Sequence, residues 1–181
     1  MRFQTLFGLG MKRHLPRIER NTRGLVFDIG SSGRYRVPGA MTLGLPDWRW
    51  PRDLLPCGDG SASEIHCYHF LEHLAGEDAI LFLQEAQRAL MDDGVLNFAV
   101  PYYSSGLQAQ DLTHKSFWNE ETFRNLFNNQ AYTPHAAPWT LRVGFQLIAG
   151  VNERNLSLIG QLIKGGTDAA APKWFYPTEI L

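Results

Sequence analysis

The chain has 181 residues, a length that suits one domain with a sizeable core. Hydrophobic residues make up 44% and charged residues 19%, the balance of a soluble globular protein, and a formal net charge of −1 carries no bulk basic signature for nucleic acid. Two cysteines, Cys57 and Cys67, are too few for a disulfide scaffold, so a reducing, cytoplasmic setting is expected. No apolar run approaches the roughly 18 residues of a membrane span, so no membrane partner is expected.

Residues 1–11 are mildly apolar and precede Lys12, Arg13, His14 and Arg17, the reverse of the order in a signal peptide. Residues 1–23 are read as a lead-in arm, residues 24–164 as the domain and residues 165–181 as a loose tail with Pro172 and Pro177. Residues 24–30, GLVFDIG, are a short apolar run between glycines and predict a buried parallel strand. Residues 40–45 form a second candidate strand, and the Trp- and Pro-rich residues 46–56 a loop. Residues 63–68 are a third strand, with Ile65 and Cys67 on one face.

Residues 78–90 carry Ile80, Leu81, Leu83, Ala86 and Leu90 at helical spacing, with Glu77 and Asp78 at the N-terminal end where the helix dipole favours anions. Asp92, Asp93 and Gly94 predict its stop. Residues 95–100 are the next strand, ended by Pro101. Residues 119–128 predict a second helix with Asn119 as N-cap and Glu120 and Glu121 in its first turn. Residues 141–149 and 155–164, separated at Val151, Asn152 and Glu153, pair as a hairpin that puts an antiparallel strand at one edge. The fold class is α/β, a mostly parallel sheet with a C-terminal antiparallel hairpin.

Five stretches carry a family resemblance. Residues 26–33 read VFDIGSSG, residues 52–56 RDLLP, residues 61–73 SASEIHCYHFLEH and residues 84–101 QEAQRALMDDGVLNFAVP. Asp111-Leu112-Thr113-His114 is followed by Phe117, Trp118, Glu121, Thr122 and Phe123. In this order they resemble the motifs of the class I S-adenosylmethionine-dependent methyltransferases, and the last resembles the Asp-Pro-Thr-His loop of small bacterial and phage members. The resemblance implies a Rossmann-like fold, S-adenosylmethionine as cofactor and methyl transfer to an acceptor that no motif names. It implies that Asp28, Gly30, Ser32 and Gly33 surround the methionine and ribose, and that Asp53 and Leu54 meet the adenine; Tyr68, at a strand end, joins the cofactor set. His69, Asp111 and His114 are the candidate catalytic residues, acting as base or positioning the acceptor. No metal is assigned.

Two departures bear on cofactor affinity. Gly44 stands where the family has a ribose-binding acid, leaving Asp47, three residues on, as the substitute, and Ser32 replaces a usual glycine. The span from Gly30 to Ala40 is too short for a full crossover helix, so the first crossover is reduced. The thinly covered face is left to Trp48 and Trp50 or to a partner subunit.

Rival readings use the same residues. His69-Phe70-Leu71-Glu72-His73 matches H-x-x-E-H, in which two helical histidines bind zinc and the glutamate is the base. Against it, the motif follows a strand. His73 then serves to orient a turn, with Glu72 as a helix N-terminal acid, and Asp111 with His114 has a reading as a loop-ordering pair. Tyr102 and Tyr103 line the pocket or pack, and Arg34, Tyr35 and Arg36 form a solvated turn. The other main class is a methyltransferase fold without cofactor, serving as an interaction or assembly protein.

Overall fold

A computed structural model describes residues 5–7, 24–31, 36–128 and 138–165. Ser32, Gly33, Arg34, Tyr35, residues 131–137 and the tail lie outside the described residues. The elements are β1 (Thr5–Phe7), β2 (Leu25–Ile29), β3 (Met41–Leu43), β4 (Ala62–Tyr68), a 3₁₀ turn (Leu71–His73), α1 (Gly76–Ala89), β5 (Leu90–Pro101), α2 (Gly106–Ala109), α3 (Glu120–Asn128), β6 (Leu141–Asn152) and β7 (Asn155–Lys164). They build one seven-stranded sheet in the order β1-β6-β7-β5-β4-β2-β3. Strands β2, β3, β4 and β5 run parallel, whereas β7 is antiparallel to both β5 and β6. This is the expected α/β class. Among the described residues, the connection from β2 to β3 holds no helix, which agrees with a reduced first crossover.

The hairpin is not at the edge. Three residues of the N-terminal arm, β1, pair parallel with β6 and close that side of the sheet. Other differences lie at element boundaries. Helix α1 begins at Gly76 and runs into β5 at Leu90, so the stop at Asp92–Gly94 is a bend inside a strand. There Asp93, with φ 60°, takes the left-handed conformation. Gly94 is required by space instead: a Cβ would lie 2.7 Å from the Met91 carbonyl oxygen and 3.1 Å from that of Ala62. The 3₁₀ turn and α2 carry too few residues for a periodic signal and went unanticipated. Helix α3 starts as expected, with Asn119 Oδ1 accepting from the Thr122 N–H at 2.9 Å.

The two longer helices, α1 and α3, pack on one face of the sheet. Phe27, Ile65, Cys67, Leu96, Phe98 and Leu158 point to it and meet Phe82, Leu83 and Phe123. Phe98 and Phe123 stack with centroids 4.3 Å apart. Trp48 and Trp50 join this same core beside Phe70 and Phe82, so the tryptophans do not cover the thin face. Trp50 Nε1–H donates to the Asp78 carbonyl of α1, which fixes the 46–56 loop on the helical side.

The other face is polar and still buried. Glu64, His66 and Tyr68 alternate along β4 with Ile65 and Cys67 and turn the opposite way. His66 Nε2–H donates to Glu64 Oε2, and the Tyr68 hydroxyl donates to His66 Nδ1, both at 3.0 Å. Next to them, Gln161 Nε2 on β7 donates to Asn97 Oδ1 on β5 at 2.9 Å. A chain of polar side chains therefore crosses the middle of the sheet, and its burial leaves each group dependent on its neighbour.

Candidate functional site

The parallel strands end together at Ile29, Leu43, Tyr68 and Pro101. Between β2 and β4 the chain reverses its direction of travel across the sheet, from β3 on one side to β4 on the other. Open α/β sheets bind ligands at such a switch point, outside the carboxyl ends of the strands.

At the end of β2, Asp28 is fully buried and its Oδ2 accepts from the Val37 N–H at 3.0 Å. Its Oδ1 and the Ser31 Oγ are buried without a hydrogen-bond partner. Gly30 has φ +73° and its N–H donates to the Leu43 carbonyl at 2.8 Å, tying the turn to β3. A Cβ on Gly30 would lie 2.8 Å from Phe70 Cδ2. Gly44 lies beside this turn, with Gly30 Cα 3.9 Å from where its Cβ would stand. Asp47 is exposed.

Asp53 holds the tryptophan loop. Its Oδ2 accepts from the Arg49 N–H at 2.8 Å, and the Arg52 guanidinium grips both oxygens. Arg52, then the Arg49 backbone, hold its carboxyl below the usual carboxylate range. Leu54 is 61% exposed, an uncovered apolar side chain, while its carbonyl accepts from Trp48 Nε1. The Glu85 and Arg88 pair of the fourth motif anchors the next turn of the chain. Glu85 Oε1 accepts from the Leu55 N–H, and Arg88 reaches the Leu55 and Cys57 carbonyls and Asp59. That motif is thus a clamp between α1 and the loop, a role invisible in its spacing.

At the end of β4, His69 has φ 55° and its N–H donates to the Ala99 carbonyl. The H-x-x-E-H stretch is consequently a strand end followed by a 3₁₀ turn, and the helical presentation of two histidines that a zinc hydrolase of that type needs does not form. Glu72 stands in the first turn of this short 3₁₀ element, is fully buried, and its Oε1 accepts from His69 Nδ1–H at 3.0 Å. Its carbonyl accepts from the N–H groups of Lys115 and Ser116. Tyr68 turns its hydroxyl onto His66 on the polar face, and burial pushes its ionisation well up.

The Asp111 loop docks over this turn. Asp111 Oδ1 accepts from the Thr113 N–H and hydroxyl, and these bonds hold its carboxyl below the usual range. His114 Nδ1–H donates to the Gln108 carbonyl at 3.1 Å, and its Nε2 stands 3.8 Å from Asp111 Oδ2. His69, Glu72, His73, Asp111 and His114 are thereby drawn onto one end of the sheet. The candidates Asp47 and Asp53 lie apart from them on the exposed loop beyond β3. Tyr102 packs rather than opening to solvent: its hydroxyl donates to Glu120, and burial, then Glu120, raise its ionisation to about 12. Tyr103 is 51% exposed. No helix among the described residues is long and apolar enough to cross a membrane.

No protein-family model matches the sequence, and neither does any curated protein. Solved structures do match. A chain of a Haloferax volcanii complex that contains the Trm112 methyltransferase activator superposes with a TM-score of 0.57 at 14% identity, covering 86% of this chain and 87% of that one. The YcgJ protein from Bacillus subtilis gives 0.53 at 11% identity over 80% and 93% of the two chains. Burkholderia thailandensis 1,6-didemethyltoxoflavin-N1-methyltransferase, solved with S-adenosylhomocysteine, gives 0.50 at 14% identity over 80% and 72%. With strand order, the reversed β7 and the glycine turn at the switch point already in place, the chain has the Rossmann-like fold of the class I S-adenosylmethionine-dependent methyltransferases.

Proposed function

We propose that the chain transfers a methyl group from S-adenosylmethionine to a nucleophilic oxygen, nitrogen or carbon atom. The observation that carries this reading is the pair of buried, unpartnered polar atoms, Asp28 Oδ1 and Ser31 Oγ, on the Gly30 turn at the switch point. A polar ligand seated there satisfies both and removes the cost of leaving them bare. Asp28 and Ser31 would hold the cofactor's polar end, with the uncovered Leu54 offering apolar surface to the adenine. When bound, the cofactor supplies a sulfonium methyl that is already electrophilic, so the protein's main task is to position the acceptor in line. His69 would accept a proton from the acceptor. Glu72 fixes its proton on Nδ1, which makes Nε2 the basic nitrogen.

Calorimetric titration with S-adenosylmethionine and S-adenosylhomocysteine tests this reading. Asp28→Asn is the informative variant. One amide oxygen still accepts from Val37, so the fold is kept, while the charge facing the cofactor is lost. Its affinity is expected to fall at least tenfold, the worth of one hydrogen bond to a charged group. Asp53→Ala is less informative, because it loosens the tryptophan loop whatever binds there.

A fold without cofactor, serving in assembly, is the second reading, favoured by Gly44 in place of the ribose acid. Gly44→Asp separates the two. Among the described residues, chain neighbours aside, only Gly30 Cα lies within 4 Å of a Cβ at this position, so the new carboxylate has room beside the turn. If the cofactor binds here, Gly44→Asp tightens its binding by about tenfold in the same titration. If neither the native chain nor Gly44→Asp takes up either compound, the assembly reading stands.

A further inference from the structure

We infer that Glu72, His73 and His114 form a binding site for a divalent transition-metal ion. This is not the ligand set of the H-x-x-E-H pattern, whose two histidines are His69 and His73. In the fold, one ligand atom from each of Glu72, His73 and His114 lies within 4.8 Å of the others. The two imidazoles meet edge to face with centroids 4.9 Å apart.

The hydrogen bonds around the trio set its protonation. The Thr113 hydroxyl spends its proton on Asp111 Oδ1 at 2.7 Å, so towards His73 Nδ1, at 3.0 Å, it accepts. The Gln108 carbonyl only accepts, so His114 Nδ1 carries a proton as well. Both rings are therefore held as Nδ1–H tautomers that present an Nε2 lone pair. Metal-binding histidines are oriented in this manner, by a carbonyl or hydroxyl behind the ring. The third member supplies an independent sign: Glu72 is fully buried, and its Oε2 has no hydrogen-bond partner. A buried carboxylate oxygen without a donor, beside two imidazoles that each carry a lone pair, is an arrangement that a cation completes.

Two imidazole nitrogens and one carboxylate oxygen suit zinc, cobalt or manganese better than magnesium or calcium, which favour all-oxygen ligands. Ligand bonds of about 2.0–2.1 Å place tetrahedral ligand atoms about 3.3 Å apart, so the trio closes by small side-chain rotations. Three protein ligands leave a fourth position open. The segments that carry the ligands are stitched together: Lys115 and Ser116 N–H groups donate to the Glu72 carbonyl, and the Ser116 hydroxyl to that of Leu71. The carboxylate that orients His69 is thus also the ion's oxygen ligand.

The test uses the untagged full chain, stripped with chelator and titrated with Zn²⁺ by calorimetry and with Co²⁺ by absorption. One ion per chain is expected, with visible tetrahedral Co²⁺ bands and no near-ultraviolet thiolate band. His73→Gln and His114→Gln, checked for folding by circular dichroism, are expected to weaken binding at least tenfold. Substoichiometric uptake by the native chain, a thiolate band, or equal affinity in a folded variant overturns the site. Because the readout is metal alone, it is independent of whether the chain binds S-adenosylmethionine.

Discussion

Gly30→Ala is expected to destabilise the fold by about 3 kcal/mol, read as a fall of roughly 6–12 °C in the midpoint of thermal unfolding. Two costs add. Gly30 sits at φ +73°, where a Cβ meets the following carbonyl at a cost of about 1–2 kcal/mol. The same Cβ would stand 2.8 Å from Phe70 Cδ2. Phe70 cannot yield cheaply, because Trp48 lies on one side of it at 6.2 Å and Phe82 on another at 5.0 Å between centroids. Displacing it disturbs the tryptophan loop and α1 together. Gly44→Ala is the control. It lies next to the same turn, where among the described residues beyond its chain neighbours only Gly30 Cα is near its added carbon, and a change within about 0.5 kcal/mol is expected. Equal stability of the two variants would show that the turn is not constrained by Phe70.

His66→Leu is expected to cost about 3 kcal/mol in denaturant unfolding, although leucine fills a similar volume. His66 is fully buried and serves two partners. Its removal strands the Glu64 carboxylate, at about 1–3 kcal/mol when left bare, and takes one hydrogen bond from the Tyr68 hydroxyl. The double variant Glu64→Leu/His66→Leu is expected to recover part of the loss, because it removes an orphan rather than making one. A single variant within about 1 kcal/mol of the native chain would mean that water reaches these groups and that the polar face is not sealed.

The turn at the end of β2 was legible in sequence because its signals are local. An apolar run, an acid and a glycine turn lie within a few residues of one another, and strand geometry then delivers Asp28 and Gly30 to the switch point. The histidine end was legible in part. Sequence spacing singled out His69, Asp111 and His114 but gave Glu72 no bond to His69, since nothing in the sequence shows that His69 turns left-handed and brings Nδ1 onto that carboxylate. Thr113 and Gln108, which set the tautomers of His73 and His114, carry no signal of their own: a hydroxyl and a backbone carbonyl become functional only through what they face. The Glu85 and Arg88 motif was recognisable as a pattern, yet its work is to clamp the Leu55 to Asp59 backbone, with |i−j| of 30 between Leu55 and Glu85.

By itself the sequence determined the α/β class, the four parallel strands, the two longer helices and the C-terminal hairpin. Each of these depends on periodicity and on glycine, proline or capping residues close by in the chain, and burial of one apolar face enforces them. Only the tertiary structure decided which strand closes the sheet, that the face opposite α1 and α3 is a buried polar chain, and that His73 meets Thr113 across 40 residues of sequence. Those outcomes are pairings between distant segments. A residue's own chemistry states what it can bond, but the fold selects the partner, and that selection brings His114, from a distant loop, beside Glu72 and His73.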